Sequence, residues 1–161
     1  MDDRKIRAIA VSVSDTRRAD NDISGDKLVG LLTVAGIEAV DKIIVSDNFD
    51  DIRQTLHSLA MRDDVDLIVT TGGTGFAERD NTPEATLSVI EKEAPGLAEA
   101  MRAETLKNTP FVMLSRGICG IRNSTLIINL PGSPKGVEEC FEVIRPVLKH
   151  AIDQLRGRTK H

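Results

Sequence analysis

The sequence is poor in the residues on which nucleic-acid-binding and membrane proteins depend. Its 161 residues contain four Phe and no Trp or Tyr, which argues against aromatic platforms that stack the bases of single-stranded nucleic acid. The net charge is −4 and the Lys and Arg residues are scattered, which argues against binding to DNA, RNA or anionic membranes. No apolar run reaches the length of a membrane span. We therefore expect neither nucleic acid nor a membrane as a partner.

Cysteine is equally scarce. Cys119 and Cys140 fall in no C-x-x-C or zinc-binding spacing, and no charged-then-apolar leader precedes the first predicted strand, so we expect a reduced, cytoplasmic protein. The length suits a single domain over residues 1–161, with an ordered core at about 5–156 and mobile polar ends.

Apolar runs alternate with amphipathic helical patterns along the chain. The predicted strands cover residues 6–13, 40–45, 66–71, 111–114 and 125–130. The predicted helices cover residues 25–35, 50–61, 83–93, 97–107 and 133–152, with a kink or break at Pro146. This alternation predicts an α/β fold with three layers, in which helices cover both faces of a mostly parallel sheet. In such sheets ligands bind beyond the carboxyl ends of the strands.

A glycine turn follows the apolar strand at residues 66–71. Gly72, Gly73 and Gly75, with Thr74 among them, can adopt positive φ and point backbone N–H groups at an anion. A tight turn that merely needs glycine is the alternative. The turn matches neither a P-loop nor a G-x-G-x-x-G fingerprint, so it indicates phosphate binding without indicating which nucleotide.

Three carboxylates follow strand ends. Asp80 lies near a helix start that Thr82 would cap with its hydroxyl; Asp80 is either a cap or dipole partner or a Mg²⁺ ligand beside bound phosphates. Asp47 follows the second strand and should reach the same edge of the sheet, although spacing alone favours a solvated loop acid or a helix cap. Asp15, after the first strand, allows the same alternatives.

Two further segments suit anions. Pro131, Gly132, Ser133 and Lys135 form a second strand-turn-helix junction, whose helix N-terminus can bind an anion or can simply be well capped. The segment 115–117 places the guanidinium of Arg116 beside a glycine turn, where it suits bidentate phosphate binding or an ordinary ion pair.

Taken together, these segments resemble a known family. TTGGTGFAERDNTPEAT at 70–86, SRGICGIR at 115–122 and LIINLPGSPKG at 126–136 are similar to the signature set of the MoaB/Mog family of molybdenum-cofactor biosynthesis proteins. The form Arg79-Asp80-x-Thr82-Pro83-Glu84 resembles the adenylyltransferase branch and the G domains of gephyrin-type proteins. Ser46 departs from the proline expected before Asp47 in many relatives.

The resemblance implies a molybdopterin-binding fold, usually a homotrimer, that transfers AMP from ATP to molybdopterin with Mg²⁺ and releases pyrophosphate. It places Asp47 and Asp80 at the catalytic centre and on the metal. Other molybdenum-cofactor biosynthesis proteins are possible partners. The implied substrate- and nucleotide-binding residues are Ser14, Asp15, Ser24, Gly25, Gly72, Gly73, Thr74, Gly75, Arg79, Thr82, Glu84, Ser115, Arg116, Gly117, Pro131, Gly132, Ser133 and Lys135.

Two other functions stay open at this point. A pterin-binding relative or scaffold would keep the pocket without adenylylation, and a generic nucleotide-binding α/β domain would bind or hydrolyse ATP without the pterin.

Overall fold

A six-stranded sheet forms the centre of the computed structural model, which describes residues 4–158. The strands are β1 Arg7–Val13, β2 Glu38–Val45, β3 Leu67–Thr71, β4 Lys92–Glu93, β5 Cys119–Arg122 and β6 Thr125–Leu130. Their order across the sheet is β2-β1-β3-β6-β5-β4. The neighbours β2, β1, β3 and β6 are parallel to one another, whereas β5 is antiparallel to β6 and β4 is antiparallel to β5. The predicted α/β fold with a mostly parallel sheet is confirmed.

Helices cover both faces of this sheet. They are α1 Ile23–Val34, α2 Phe49–Ala60, α3 Thr82–Val89, α4 Pro95–Thr105 and α5 Pro134–Leu155. The helices α1, α4 and α5 bury their apolar side chains in one core and α2 and α3 in another. Strand β1 serves both cores, because Ala8 and Ala10 face the first while Ile9, Val11 and Val13 face the second, as the alternation of side chains along a strand requires.

The structure corrects the sequence-based elements in four places. Pro110–Leu114 is a 3-10 helix and not a strand, and its apolar side chains are largely exposed. The loop predicted after it contains strand β5. Helix α3 ends at Val89, short of the predicted end. Helix α5 continues through Pro146 to Leu155, so the predicted break is wrong.

The first and last elements meet at the amino ends of the strands. The Arg156 guanidinium, after α5, pairs with the buried carboxylate of Asp66, just before β3, and it also donates to the carbonyl oxygens of Arg4 and Lys5. Apart from Arg4, Gly157 and Arg158, the ends predicted to be mobile lie outside the described residues. Between residues 4 and 158, no helix is both long and apolar enough to cross a membrane.

Candidate functional site

The loops that follow β1, β2, β3 and β6 meet at one edge of the sheet, because parallel strands bring their carboxyl ends together. The backbone N–H of Ser14 donates to Val45 O at 2.9 Å, and that of Gly72 donates to Leu130 O at 3.2 Å. A cavity of about 490 Å³ opens beside this edge. The predicted residues that line it are Gly73, Thr74, Gly75, Asp80, Ser115, Gly117, Pro131, Gly132, Ser133 and Lys135.

The glycine turn needs its first two glycines for geometric reasons. Gly72 and Gly73 have φ of +102° and +67°, which residues with a Cβ rarely adopt. A Cβ on Gly72 would lie 2.5 Å from the carbonyl oxygen of Val13. Thr82 holds the turn, since its hydroxyl donates to Gly72 O at 2.9 Å. The prediction of a Thr82 cap is therefore wrong: Thr82 is the first residue of α3, and Asn81 occupies the cap position without a side-chain hydrogen bond.

The turn before α5 is fixed by three donors, from strand β3, from helix α1 and from the loop after β1. The Thr71 hydroxyl donates to Pro131 O at 2.7 Å. The Ser24 hydroxyl and the Arg17 guanidinium both donate to Gly132 O at 2.6 Å. Ser133 caps the helix as predicted, accepting from Gly136 N at 3.0 Å. The first turn of α5 therefore borders the cavity in a fixed position, with Lys135 and Gly136 in the cavity wall.

An acidic cluster lies next to the glycine turn. The backbone N–H of Asp15 donates to the Asp47 carboxylate at 2.9 Å, and that of Asp47 donates to the Asp15 carboxylate at 3.0 Å. Arg79 binds Asp15 through two nitrogens, at 2.7 and 3.1 Å, and these bonds lower the pKa of Asp15. Asn81, beside Asp80, donates to Asp47 O at 2.9 Å. The structure therefore brings Asp15, Asp47 and Asp80 to one place.

Burial, reinforced by the negative charges of Asp15 and Asp80, raises the pKa of Asp47 above its usual value of 3.8, against the lowering effects of the Asp15 N–H and Arg79. Within the described range, no group of three or more His, Cys, Asp or Glu side chains could hold a metal ion. Asp47 and Asp80 would hold Mg²⁺ only together with substrate phosphates, a common arrangement for that ion.

We expect Asp47→Asn to raise the melting temperature, with a gain in stability of up to about 0.5 kcal/mol at pH 7. A carboxyl whose pKa is raised by folding disfavours the folded state once it is ionised, and asparagine removes that charge while keeping an oxygen for the Asp15 N–H. Thermal unfolding measures the effect, with the exposed Asp63→Asn as the control. A lower melting temperature in Asp47→Asn, with no change in Asp63→Asn, would contradict the predicted stabilisation.

Several predicted residues support the site from outside the cavity. Ser14 accepts from the N–H groups of Thr16 and Arg17 at 3.1 Å, and Ser24 is buried. Gly25 lies against Asp22, where a Cβ would approach the carboxylate to 2.1 Å. The remaining predicted residues that do not line the cavity are Asp15, Asp47, Gly72, Arg79, Thr82, Glu84 and Arg116.

Sequence reasoning missed part of the cavity wall. Its apolar side includes Ala98, Met101, Val112 and Leu114. Asn129 is buried in β6, donates to the hydroxyls of Thr70 and Thr86 at 3.1 and 3.0 Å and accepts from Ile118 N at 3.1 Å. The sequence does mark Asn129, because it is the one polar residue in the otherwise apolar run LIINL of β6. Arg17 had no signal, since it lies in a polar loop.

The chain is similar to known proteins along most of its length. A family described as "Probable molybdopterin binding domain" matches residues 9–150. The chain is 45% identical to the molybdenum cofactor synthesis protein cinnamon of Drosophila melanogaster over 146 residues, covering 88% of this chain and 24% of that protein. It is 48% identical to a molybdopterin adenylyltransferase of Helicobacter pylori over 114 residues, covering 71% of this chain and 65% of that protein.

A solved structure, the molybdopterin biosynthesis enzyme MoaB of Thermus thermophilus, superposes with a TM-score of 0.86 at 42% identity, covering 94% of this chain and 97% of that one. The chain thus spans less than two thirds of the length of both curated relatives but nearly all of the solved one.

Proposed function

Because the chain belongs to the family of molybdopterin binding domains, we propose that it is a molybdopterin adenylyltransferase that transfers AMP from ATP to molybdopterin and releases pyrophosphate. One observation carries the proposal: the glycine turn, the first turn of α5 and Asp80 border a single cavity, and Asp47 lies close enough to Asp80 to feel its charge. This arrangement suits two phosphorylated substrates and one cation. The relative named molybdopterin adenylyltransferase supports the choice of reaction.

In the proposed reaction, a terminal phosphate oxygen of molybdopterin attacks the α-phosphorus of ATP. The new P–O bond forms as the bond between the α-phosphorus and the bridging oxygen breaks, and pyrophosphate leaves with that electron pair. The substrate supplies the nucleophile, so the chain needs no Ser-His or Cys-His pair. Its task is to align two anions and offset their charge.

The chain's own groups divide that task. The backbone N–H groups of Gly73, Thr74 and Gly75 in the glycine turn and of Lys135 in the first turn of α5 would bind phosphate oxygens. Asp47 and Asp80 would hold Mg²⁺, which, when bound, neutralises charge on the phosphates and on the leaving pyrophosphate. Arg79, paired with Asp15 at 2.7 Å, is exposed enough to exchange that partner for a phosphate.

The test is incubation with molybdopterin, ATP and Mg²⁺, followed by pyrophosphate detection and mass analysis of the pterin product. We expect pyrophosphate only when molybdopterin is present and an increase in pterin mass by one adenylyl group. Chelation of Mg²⁺ should stop the reaction. ATP turnover without molybdopterin would favour the generic nucleotide-binding domain.

A second candidate is a pterin-binding relative without this chemistry. Its mark would be molybdopterin binding with no release of pyrophosphate. The proposal also includes a homotrimer in the cytoplasm, as the family resemblance implies, which could contact other proteins of the pathway. Analytical ultracentrifugation of the purified protein tests the oligomeric state.

A further inference from the structure

We propose that Arg116 is a positioning residue: together with Glu84 it clasps residues 75–80 and thereby holds the carboxylate of Asp80 in place. The inference rests on the proposed function for the role of Asp80. It replaces the role that the sequence suggested for Arg116, a direct contact with substrate phosphate.

The clasp joins both ends of one loop. The Arg116 Nε donates to Gly75 O at 2.7 Å, and one terminal nitrogen donates to Asp80 O at 2.8 Å. The Arg116 backbone N–H adds a bond to Thr74 O at 2.8 Å. Residues 75 and 80 open and close the loop between the glycine turn and α3, so one guanidinium fixes its two ends at once.

The second terminal nitrogen of Arg116 is used as well. It forms an ion pair with the carboxylate of Glu84, in the first turn of α3. The guanidinium thus makes one contact at the start of the loop, one at its end and one on the helix that follows. Planar geometry allows arginine to serve three such acceptors, whereas the single ammonium of lysine offers no matching fork.

Within this loop the Asp80 carboxylate has a defined position. It accepts from Ala77 N at 2.9 Å, while Asp80 N donates to Ala77 O at 2.9 Å. Gly75 leaves the space it needs, since a Cβ there would lie 2.9 Å from an Asp80 carboxylate oxygen. Asp80 borders the cavity, so any opening of the loop ends would move its carboxylate.

A phosphate contact and a clasp predict opposite results. To bind phosphate, Arg116 would have to leave the acceptors that it now occupies, and removing the Glu84 charge would free it to bind more tightly. If Arg116 is a clasp, removing that charge loosens the loop. A displacement of about 1 Å at a reacting group can cost up to about a hundredfold in rate, so even partial loosening should be measurable.

The experiment compares Arg116→Lys and Glu84→Gln with the control Arg62→Lys. Arg62 does not line the cavity, and two of its guanidinium nitrogens donate to the Asp64 carboxylate, each at 2.8 Å. We expect kcat for pyrophosphate release to fall about tenfold in Arg116→Lys and less in Glu84→Gln, with KM for ATP and molybdopterin nearly unchanged. Arg62→Lys should match the wild type. In an Asp80→Ala background, Arg116→Lys should have no further effect, because both changes act through one carboxylate.

Amide hydrogen exchange of Ala77 gives a readout that does not depend on turnover. It should accelerate in Arg116→Lys and stay at the wild-type rate in Arg62→Lys. A raised KM with unchanged kcat in Arg116→Lys, or a lowered KM in Glu84→Gln, would establish a phosphate contact and overturn the clasp. Unchanged Ala77 exchange in Arg116→Lys would also overturn it. An inactive wild type would refute the proposed function, and the exchange rates would still decide the structural role of Arg116.

Discussion

Asp80→Ala should lower the rate of pyrophosphate release by at least about a hundredfold, the effect typical of removing one preorganised electrostatic group from an active site. Asp80 borders the cavity and lies near enough to Asp47 to raise its pKa. Losing its carboxylate would remove half of the proposed cation site. The hydrogen bond of its carboxylate goes to the loop backbone, at Ala77 N, so the fold should persist.

Steady-state kinetics and molybdopterin binding measure the change. The matched control is Glu78→Ala, because Glu78 is an exposed acid in the same loop and its removal changes the net charge equally. We expect Glu78→Ala to retain wild-type kinetics and Asp80→Ala to retain pterin binding. Near-normal turnover in Asp80→Ala would remove Asp80 from the mechanism.

Asp22→Ala should lower the free energy of unfolding by about 2–4 kcal/mol, which combines a lost helix cap with buried partners left unsatisfied. Asp22 is fully buried. It accepts from the Ser12 hydroxyl at 2.6 Å and from Gly25 N at 3.0 Å. Lys42 and Arg17 lie 3.4 and 3.7 Å from its carboxylate.

Urea unfolding of Asp22→Ala and of Asp26→Ala measures this difference. Asp26 shares Lys42 as a partner but its side chain is 66% exposed, and exposed ion pairs contribute only about 0–1 kcal/mol. The control should therefore lose little. Equal losses in the two variants would contradict the importance of burial for Asp22.

The buried carboxylate of Asp22 should also make the stability of the fold sensitive to acid. Burial alone would raise the pKa of Asp22, but the hydrogen bonds from Ser12 and Gly25 and the charge of Lys42 outweigh it, so the pKa lies below 3.8. A carboxyl with a lowered folded pKa stabilises the fold above its unfolded pKa, and this contribution is lost as the pH falls through the folded value. We expect Asp22→Asn to unfold with a weaker pH dependence below about pH 4 than the wild type.

The parts of the fold that could be predicted are those with a local physical cause. Apolar runs mark β1, β3 and β6 because these strands are buried on both faces. The two-residue strand β4 has no such mark, since only its pairing with β5 defines it. The 3-10 helix Pro110–Leu114 was mistaken for a strand because its apolar side chains suggest burial, whereas most face outward.

In the candidate site, too, the features with a local cause could be predicted and those that depend on distant contacts could not. Its turns could be predicted from glycine and proline, whose backbone preferences are local. The role of Arg116 could not, because its contact with Asp80 O joins residues 36 apart in the chain. Arg17 and Gly132 are 115 apart. A donor aimed at a distant carbonyl oxygen leaves no periodic trace in the sequence.

The pairing of Arg156 with Asp66 also bears on how this unit can be built into longer polypeptides. It brings the residues around Lys5 and Arg156 together at the amino ends of the strands, whereas the cavity lies at the carboxyl ends. A segment joined at either side would therefore leave the sheet on the side away from the cavity. Chain added at either side would thus leave the opening of the cavity uncovered.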